Sequence, residues 1–122
     1  MVHKILIVDD EPNIVMSIEF LLKKEGFTTE TAGDGDAALE KVRSFVPDLI
    51  LLDVMMPKKS GFEVCEVLRS DTTAQQPRII MLTAKGRETE QAKGLALGAD
   101  AYMLKPFSTK ELVAKIREIL AA

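Results

Sequence analysis

The sequence predicts a doubly wound α/β domain, a (βα)5 arrangement in which five parallel strands alternate with five helices. Two observations predict it. Short apolar runs of strand length alternate along the chain with segments whose apolar residues recur at helical spacing. The connections between these segments are also short. Parallel strands with short connections need right-handed crossovers, which place helices on both faces of the sheet.

The first strand and helix are predicted at the amino terminus. Lys4–Val8 is an apolar, β-branched run typical of a buried strand, and it ends at the acidic pair Asp9 and Asp10. Pro12 occupies a position that suits the first helical turn. The helix that follows has an apolar stripe and ends near Gly26.

The next two strands differ in polarity. Phe27–Ala32 alternates and is rich in threonine, which predicts an edge strand with one less covered face. A second helix follows and stops at Pro47. Leu49–Leu52 is uniformly apolar, so it is predicted to be covered on both faces. Asp53 ends this run at the carboxyl edge of the sheet, where open α/β folds place their chemistry.

The remaining elements follow the same alternation. Gly61 opens the third helix, and Arg78–Leu82 is the fourth strand, ended by Thr83. A weakly amphipathic fourth helix precedes the fifth strand, Ala101–Leu104, which ends at Lys105. A serine, Ser108, is positioned to cap the fifth helix, with Glu111 at the capping-box position.

The polarity of the strands predicts their order. The first, third and fourth strands are the most apolar and should lie centrally, whereas the polar second strand should lie outermost. This pattern fits the flavodoxin-like order 2-1-3-4-5 better than the dinucleotide-binding order.

Composition limits the classes of protein. With 122 residues and 47% hydrophobic residues, residues 1–122 are expected to form one domain. The net charge of -3 argues against direct nucleic-acid binding. A single cysteine, Cys65, excludes an internal disulfide and favours a cytoplasmic location. The sequence has neither a signal-peptide pattern nor an apolar run of membrane-spanning length, so no membrane association is expected.

Polar residues at the ends of four strands are predicted to converge on one edge of the sheet. Three are carboxylates, Asp9, Asp10 and Asp53, which repel one another unless positive charge intervenes. Lys105 supplies one charge, and oxygen-only ligands favour Mg²⁺ as a second. With the Thr83 hydroxyl nearby, the group suits phosphoryl transfer onto Asp53. The alternative is a set of strand-end caps with a structural salt bridge to Lys105.

These motifs, in this order, resemble the response-regulator receiver domain of two-component signalling, and the resemblance covers nearly the whole chain. The matching motifs are Asp9-Asp10, Asp53 within Asp-Val-Met-Met-Pro, Thr83-Ala84 and Lys105-Pro106-Phe107. The resemblance implies that Asp53 accepts a phosphoryl group from the phosphohistidine of a histidine kinase or phosphotransfer protein. It also implies that Asp10, Asp53 and the backbone carbonyl of Met55 bind Mg²⁺, with Asp9 contributing through water.

The resemblance further implies how the signal passes on. Thr83 and Lys105 would contact the phosphoryl group, and the peptide bond between Lys105 and Pro106 would be cis. Thr83 would move toward the phosphoryl group, and Tyr102 would turn into the vacated space. Judged without the family, Tyr102 could equally be an exposed edge-strand residue. The implied output surface is the fourth helix, fifth strand and fifth helix.

The same surface is a candidate for homodimerisation. Glu111, Lys115 and Asp100 could form the ion pairs that link receivers of DNA-binding regulators, but Gln91 and Ala101 stand where charge is expected in that subfamily. The chain is expected to be either a stand-alone protein or a receiver cut from a longer regulator. It is not expected to be an enzyme beyond its own Mg²⁺-dependent phosphorylation and dephosphorylation.

Three other functions compete with the phosphoacceptor hypothesis. A small phosphatase with an Asp nucleophile usually has Asp-x-Asp after the first strand and a cap insertion, which this chain lacks. A flavodoxin-like cofactor binder conflicts with the acidic first loop, which repels phosphate. A receiver-like interaction module that works without phosphorylation would bind its partner identically after Asp53→Asn.

Overall fold

The computed structural model describes residues 2–56, 58–71, 76–84 and 88–121. The strands are β1 (Lys4–Val8), β2 (Thr28–Ala32), β3 (Leu49–Asp53), β4 (Arg78–Ala84) and β5 (Ala101–Lys105). The helices are α1 (Pro12–Lys24), α2 (Gly35–Phe45), α3 (Gly61–Ser70), α4 (Glu88–Ala96) and α5 (Thr109–Ala121). The five strands form one parallel sheet in the order β2-β1-β3-β4-β5, which confirms the predicted fold class and strand order.

The core lies on both faces of the central strands, and every residue of β3 is buried. On one face the buried side chains come from α2 and α3. On the other face they come from α1 and α5. The two apolar faces of the sheet explain why β1 and β3 are uniformly apolar, because alternate residues along these strands point into different halves of the core.

The two edges of the sheet are β2 and β5. The polar strand β2 lies outermost, as its alternating sequence predicted. Strand β4 continues beyond its predicted end because Thr83 and Ala84 still pair with Leu104 and Lys105 of β5. Thr83 therefore lies inside a strand rather than just after one. The predicted start of the fourth helix, in residues 85–87, lies outside the described residues.

The helix ends follow local signals in the sequence. Pro12 is the first residue of α1, as predicted. Ser60 and Glu63 form a reciprocal capping box at the start of α3. At the start of α5, the amide of Glu111 donates to Ser108 Oγ at 3.1 Å. Across the described stretches, none of these helices is both long enough and apolar enough to cross a bilayer.

Candidate functional site

Three carboxylates meet at the carboxyl edge of the sheet. Because β1 and β3 are neighbours in register, their ends place Asp9 and Asp10 beside Asp53. One oxygen from each residue lies within 4.8 Å of the others. Asp9 and Asp53 are buried, whereas Asp10 is exposed. The structure thus brings together the acidic residues that the sequence placed at separate strand ends.

The ammonium group of Lys105 lies between the two buried carboxylates. Its Nζ atom is 2.8 Å from Asp9 Oδ2 and 3.3 Å from Asp53 Oδ1. The second oxygen of Asp9 accepts the backbone N–H of Glu11 at 3.0 Å. Both oxygens of Asp9 therefore have partners within the protein. The peptide bond from Lys105 to Pro106 is cis, as the resemblance implies.

The electrostatics of the site disfavour the charged form of Asp53. Burial, and then the neighbouring charge of Asp9, raise the pKa of Asp53 from its ordinary value of 3.8 to about 6, although Lys105 opposes the shift. For Lys105, burial acts to lower the pKa, but the hydrogen bond to Asp9 and the two carboxylate charges outweigh it and raise the pKa. One ammonium is thus too little positive charge for this group of acids.

Thr83 contributes a hydroxyl without a partner. Its side chain lies on β4, one residue beyond Leu82, which is the register partner of Asp53. Thr83 is 2% exposed, and its Oγ1 atom has no hydrogen-bond partner among the described residues. A hydroxyl that is buried without a hydrogen-bond partner destabilises a fold, so its presence calls for an explanation.

The donor set fits a hard divalent cation. The cluster offers carboxylate oxygens and contains neither histidine nor cysteine, which favours Mg²⁺ over softer metals. A divalent ion would also offset the charge that Lys105 leaves uncompensated. Met55, whose carbonyl the resemblance assigns to the metal, follows Asp53 by two residues, and its backbone N–H acts to lower the pKa of the Asp53 carboxyl.

Tyr102 and the residues named for dimerisation lie on or beside β5 and α5. Tyr102 is on the edge strand β5 and is 37% exposed. The carboxylate of Asp100 bonds within the chain, at 3.0 Å from Arg69 and 2.8 Å from the amide of Ile79. Lys115 lies 3.7 Å from Glu118 on the same helix. The structure therefore gives Asp100 and Lys115 intramolecular partners.

Sequence reasoning missed a set of contacts beside the site. Lys58 and Lys59, in the β3–α3 loop (residues 54–60), lie 3.6 Å and 3.4 Å from the carboxylates of Asp34 and Asp36 at the start of α2. The sequence alone marks Asp34 and Gly35 only as a turn before a helix. The sole sequence signal was a glycine at a helix start, which does not reveal what lies opposite it.

The parallel sheet order and the acidic edge with its lysine define a flavodoxin-like α/β domain built around buried carboxylates. The family model described as "Response regulator receiver domain" matches residues 5–117. The chain therefore belongs to the response regulator receiver domain family, as the sequence motifs had indicated.

Individual relatives agree with this assignment. The alkaline phosphatase synthesis transcriptional regulatory protein PhoP of Bacillus subtilis is 49% identical over 96% of this chain and 48% of its own length. The DNA-binding response regulator MtrA of Mycolicibacterium smegmatis is 47% identical over 94% of this chain and 49% of its own length. The chain thus spans about half the length of the curated relatives it matches. The solved chemotaxis response regulator CheY4 of Vibrio cholerae has a TM-score of 0.90 and 32% identity, over 98% of this chain and 99% of that chain.

Proposed function

We propose that this domain is a Mg²⁺-dependent phosphoacceptor switch in which Asp53 takes a phosphoryl group from a phosphohistidine. The donor would be a histidine kinase or a phosphotransfer protein. The observation that carries the proposal is the buried Asp53 carboxylate, which lies 3.3 Å from the Lys105 ammonium and within 4.8 Å of two other carboxylates. Such a carboxylate is costly to a structure unless a ligand compensates it.

The transfer would use Asp53 as the nucleophile. With a pKa of about 6, Asp53 is largely ionised at neutral pH. A carboxylate oxygen attacks phosphorus while the phosphorus–nitrogen bond breaks, and the electron pair returns to the imidazole, which takes a proton. Lys105 is positioned to neutralise a phosphoryl oxygen, and the unpartnered Thr83 hydroxyl could donate to another.

The proposed metal ligands are the carboxylates of Asp10 and Asp53 and the backbone carbonyl of Met55, with Asp9 acting through water. The water-mediated role fits Asp9, since both of its oxygens already accept hydrogen bonds within the protein. When bound, Mg²⁺ would supply Lewis-acid stabilisation of charge on the transferring group. The domain would catalyse only its own phosphorylation and dephosphorylation and would not act as an enzyme on other substrates.

The proposed output is a change in the surface formed by α4, β5 and α5. Bonding of Thr83 to the phosphoryl group would draw it toward Asp53, and Tyr102 would turn inward. Among the α4 residues whose burial is described, Gly94 alone is buried, which supports low local stability in an element that must move. The same surface could form a homodimer.

The remaining expectations concern location and other ligands. We propose that the domain acts in the cytoplasm, where histidine kinases present their phosphohistidine. It is expected not to bind nucleic acid directly, because its net charge is -3. No direct membrane binding is expected either, since the sequence has no apolar run of membrane-spanning length.

Intact-mass measurement tests the phosphoacceptor proposal. Wild type treated with Mg²⁺ and a small acyl phosphate should gain one phosphoryl group, whereas Asp53→Asn should gain none. Removal of Mg²⁺ with a chelator should abolish the gain in wild type. Equal labelling of Asp53→Asn would contradict the assignment of Asp53, and labelling that persists with chelator would contradict the metal requirement.

A further inference from the structure

The loop that leaves the phosphoacceptor strand is closed at its base. The backbone N–H of Gly61 donates to the carbonyl of Val54 at 2.9 Å, and the N–H of Val54 donates to Leu82 on β4 at 3.2 Å. Gly61 also lies against the end of β3, because a Cβ atom added there would be 2.4 Å from the carbonyl oxygen of Asp53. The two ends of the β3–α3 loop are therefore held against each other and against the sheet.

The outer part of the same loop lies against the first turn of α2. A Cβ atom added to Gly35 would be 2.4 Å from Lys59 Cβ and 2.6 Å from its carbonyl oxygen. Such distances are too short for real atoms, so glycine at position 35 is what allows this close approach. Gly35 does not have a positive φ, and the restriction at this position is therefore purely steric.

Two further observations indicate that contacts determine the path of the loop. Lys58 adopts a left-handed conformation with φ of 67°, which a lysine keeps only where its surroundings hold it. Its ammonium lies 3.6 Å from Asp34, and that of Lys59 lies 3.4 Å from Asp36. Both ion pairs join the loop to the first turn of α2.

We infer that the first turn of α2 positions the metal-binding loop, and that Gly35 is a positioning residue for Mg²⁺. Because the base of the loop is closed, a displacement at Lys59 should pass to Lys58 and to the described residues at the start of the loop, Met55 and Met56. Of these residues, Met55 follows Asp53 by two positions, and its backbone N–H acts to lower the pKa of the Asp53 carboxyl. The inference rests on the proposed function, which assigns the Met55 carbonyl to the metal.

The test is a Mg²⁺ titration of wild type, Gly35→Ala and Gly33→Ala, followed by amide NMR shifts at the acidic site. Gly33 is a matched control, because an added Cβ there has no atom within 4 Å and Gly33 does not have a positive φ. Gly35→Ala should bind Mg²⁺ about tenfold more weakly, which is typical for loss of support behind a metal ligand. Gly33→Ala should stay within about twofold of wild type.

Unfolding measured in chelator separates positioning from packing. Gly35→Ala with wild-type Mg²⁺ affinity and lower stability would overturn the inference, because the contact would then serve packing alone.

A gentler pair of variants keeps the test decisive if Gly35→Ala does not fold. Asp36→Asn removes the partner of Lys59, and Glu40→Gln makes the same change of charge at an exposed position one turn along α2. Asp36→Asn should weaken Mg²⁺ binding about twofold relative to Glu40→Gln, as for a partly exposed ion pair. Equal affinities would overturn the inference. If wild type itself bound no Mg²⁺, the proposed function would fail as well, and the two failures are distinguishable.

Discussion

At the amino edge of the sheet, where the strands begin, Arg69 donates to four acceptors, whereas at the carboxyl edge two buried carboxylates share the ammonium of Lys105. Arg69 joins the end of α3 to the carbonyls of Gly98 and Pro77 and to Asp100. Asp100 also accepts the amide of Ile79 at 2.8 Å. The charged groups at this edge are therefore paired with partners from α3, β4 and the segment that precedes β5.

At the carboxyl edge, in contrast, the charged and polar groups are incompletely paired. Asp9 and Asp53 are buried beside Asp10, and the pKa of Asp53 is raised to about 6. Thr83 has a buried hydroxyl that lacks a partner in the described part of the chain. Both edges combine carboxylates with a cationic side chain, and they differ in how completely their polar groups are paired. Complete pairing stabilises a fold, whereas incomplete pairing leaves bonding capacity for a ligand.

Breaking the amino edge should have the largest effect on stability. Arg69→Ala removes four hydrogen bonds and leaves Asp100 without its closest cation, so it should lower the free energy of unfolding by about 3 kcal/mol. The control is Arg117→Ala, which removes an exposed pair with Glu25 and should cost less than about 1 kcal/mol. Chemical unfolding measures both. Equal losses would remove the contrast between a structural network and a surface pair.

Removing the charge of Asp53 at the carboxyl edge should raise the free energy of unfolding, whereas breaking the amino edge lowers it. Asp53→Asn removes a charge that the metal-free fold disfavours, and Lys105 keeps its 2.8 Å contact with Asp9. Asp53→Asn should therefore raise the free energy of unfolding at pH 7 by about 2–3 kcal/mol, from roughly two pKa units at about 1.4 kcal/mol each.

The pH dependence of that gain follows from linkage. Between pH 3.8 and about 6, the folded protein binds more protons at Asp53 than the unfolded chain does. The contribution of Asp53 to the stability of wild type therefore falls as pH rises through this window, and the difference between wild type and Asp53→Asn should shrink toward zero below pH 3.8. Unfolding in chelator at several pH values measures this. A destabilised Asp53→Asn at pH 7 would show that the carboxylate serves the fold.

The smallest effect is expected at Thr83. Thr83→Val replaces an unpartnered hydroxyl with a methyl group, so the metal-free stability should stay the same or rise by up to about 1 kcal/mol. Thr29→Val is the control, because the buried Thr29 hydroxyl donates to Glu19 at 3.3 Å, and its loss should cost about 1 kcal/mol. A larger loss at Thr83 than at Thr29 would mean that Thr83 has a structural partner.

Much of this contrast could be predicted from the sequence. The uniformly apolar runs of β1 and β3 predicted central parallel strands, and parallel strands bring their carboxyl ends to one edge. Convergence of Asp9, Asp53 and Lys105 followed from topology, without any side-chain geometry. The match to known receiver motifs then indicated which of these residues carry which role.

What the sequence could not predict depends on distances between elements far apart in the chain. The approach of Gly35 to Lys59 arises from how α2 packs beside the β3–α3 loop, and no local pattern reports it. The pairing of Asp100 with Arg69, 31 residues away, is of the same kind. The end of β4 was misplaced because pairing with β5 extends that strand to Ala84.

The most direct test of the central claim is the response of the carboxyl edge to a phosphoryl mimic. Amide NMR spectra should be recorded for wild type and Asp53→Asn with Mg²⁺, before and after addition of beryllofluoride. The amide of Thr83 should shift in wild type and stay in place in Asp53→Asn, while the amide of Ile79 at the amino edge should change little in either protein. An equal shift of the Thr83 amide in both proteins would contradict the claim that Asp53 accepts the group.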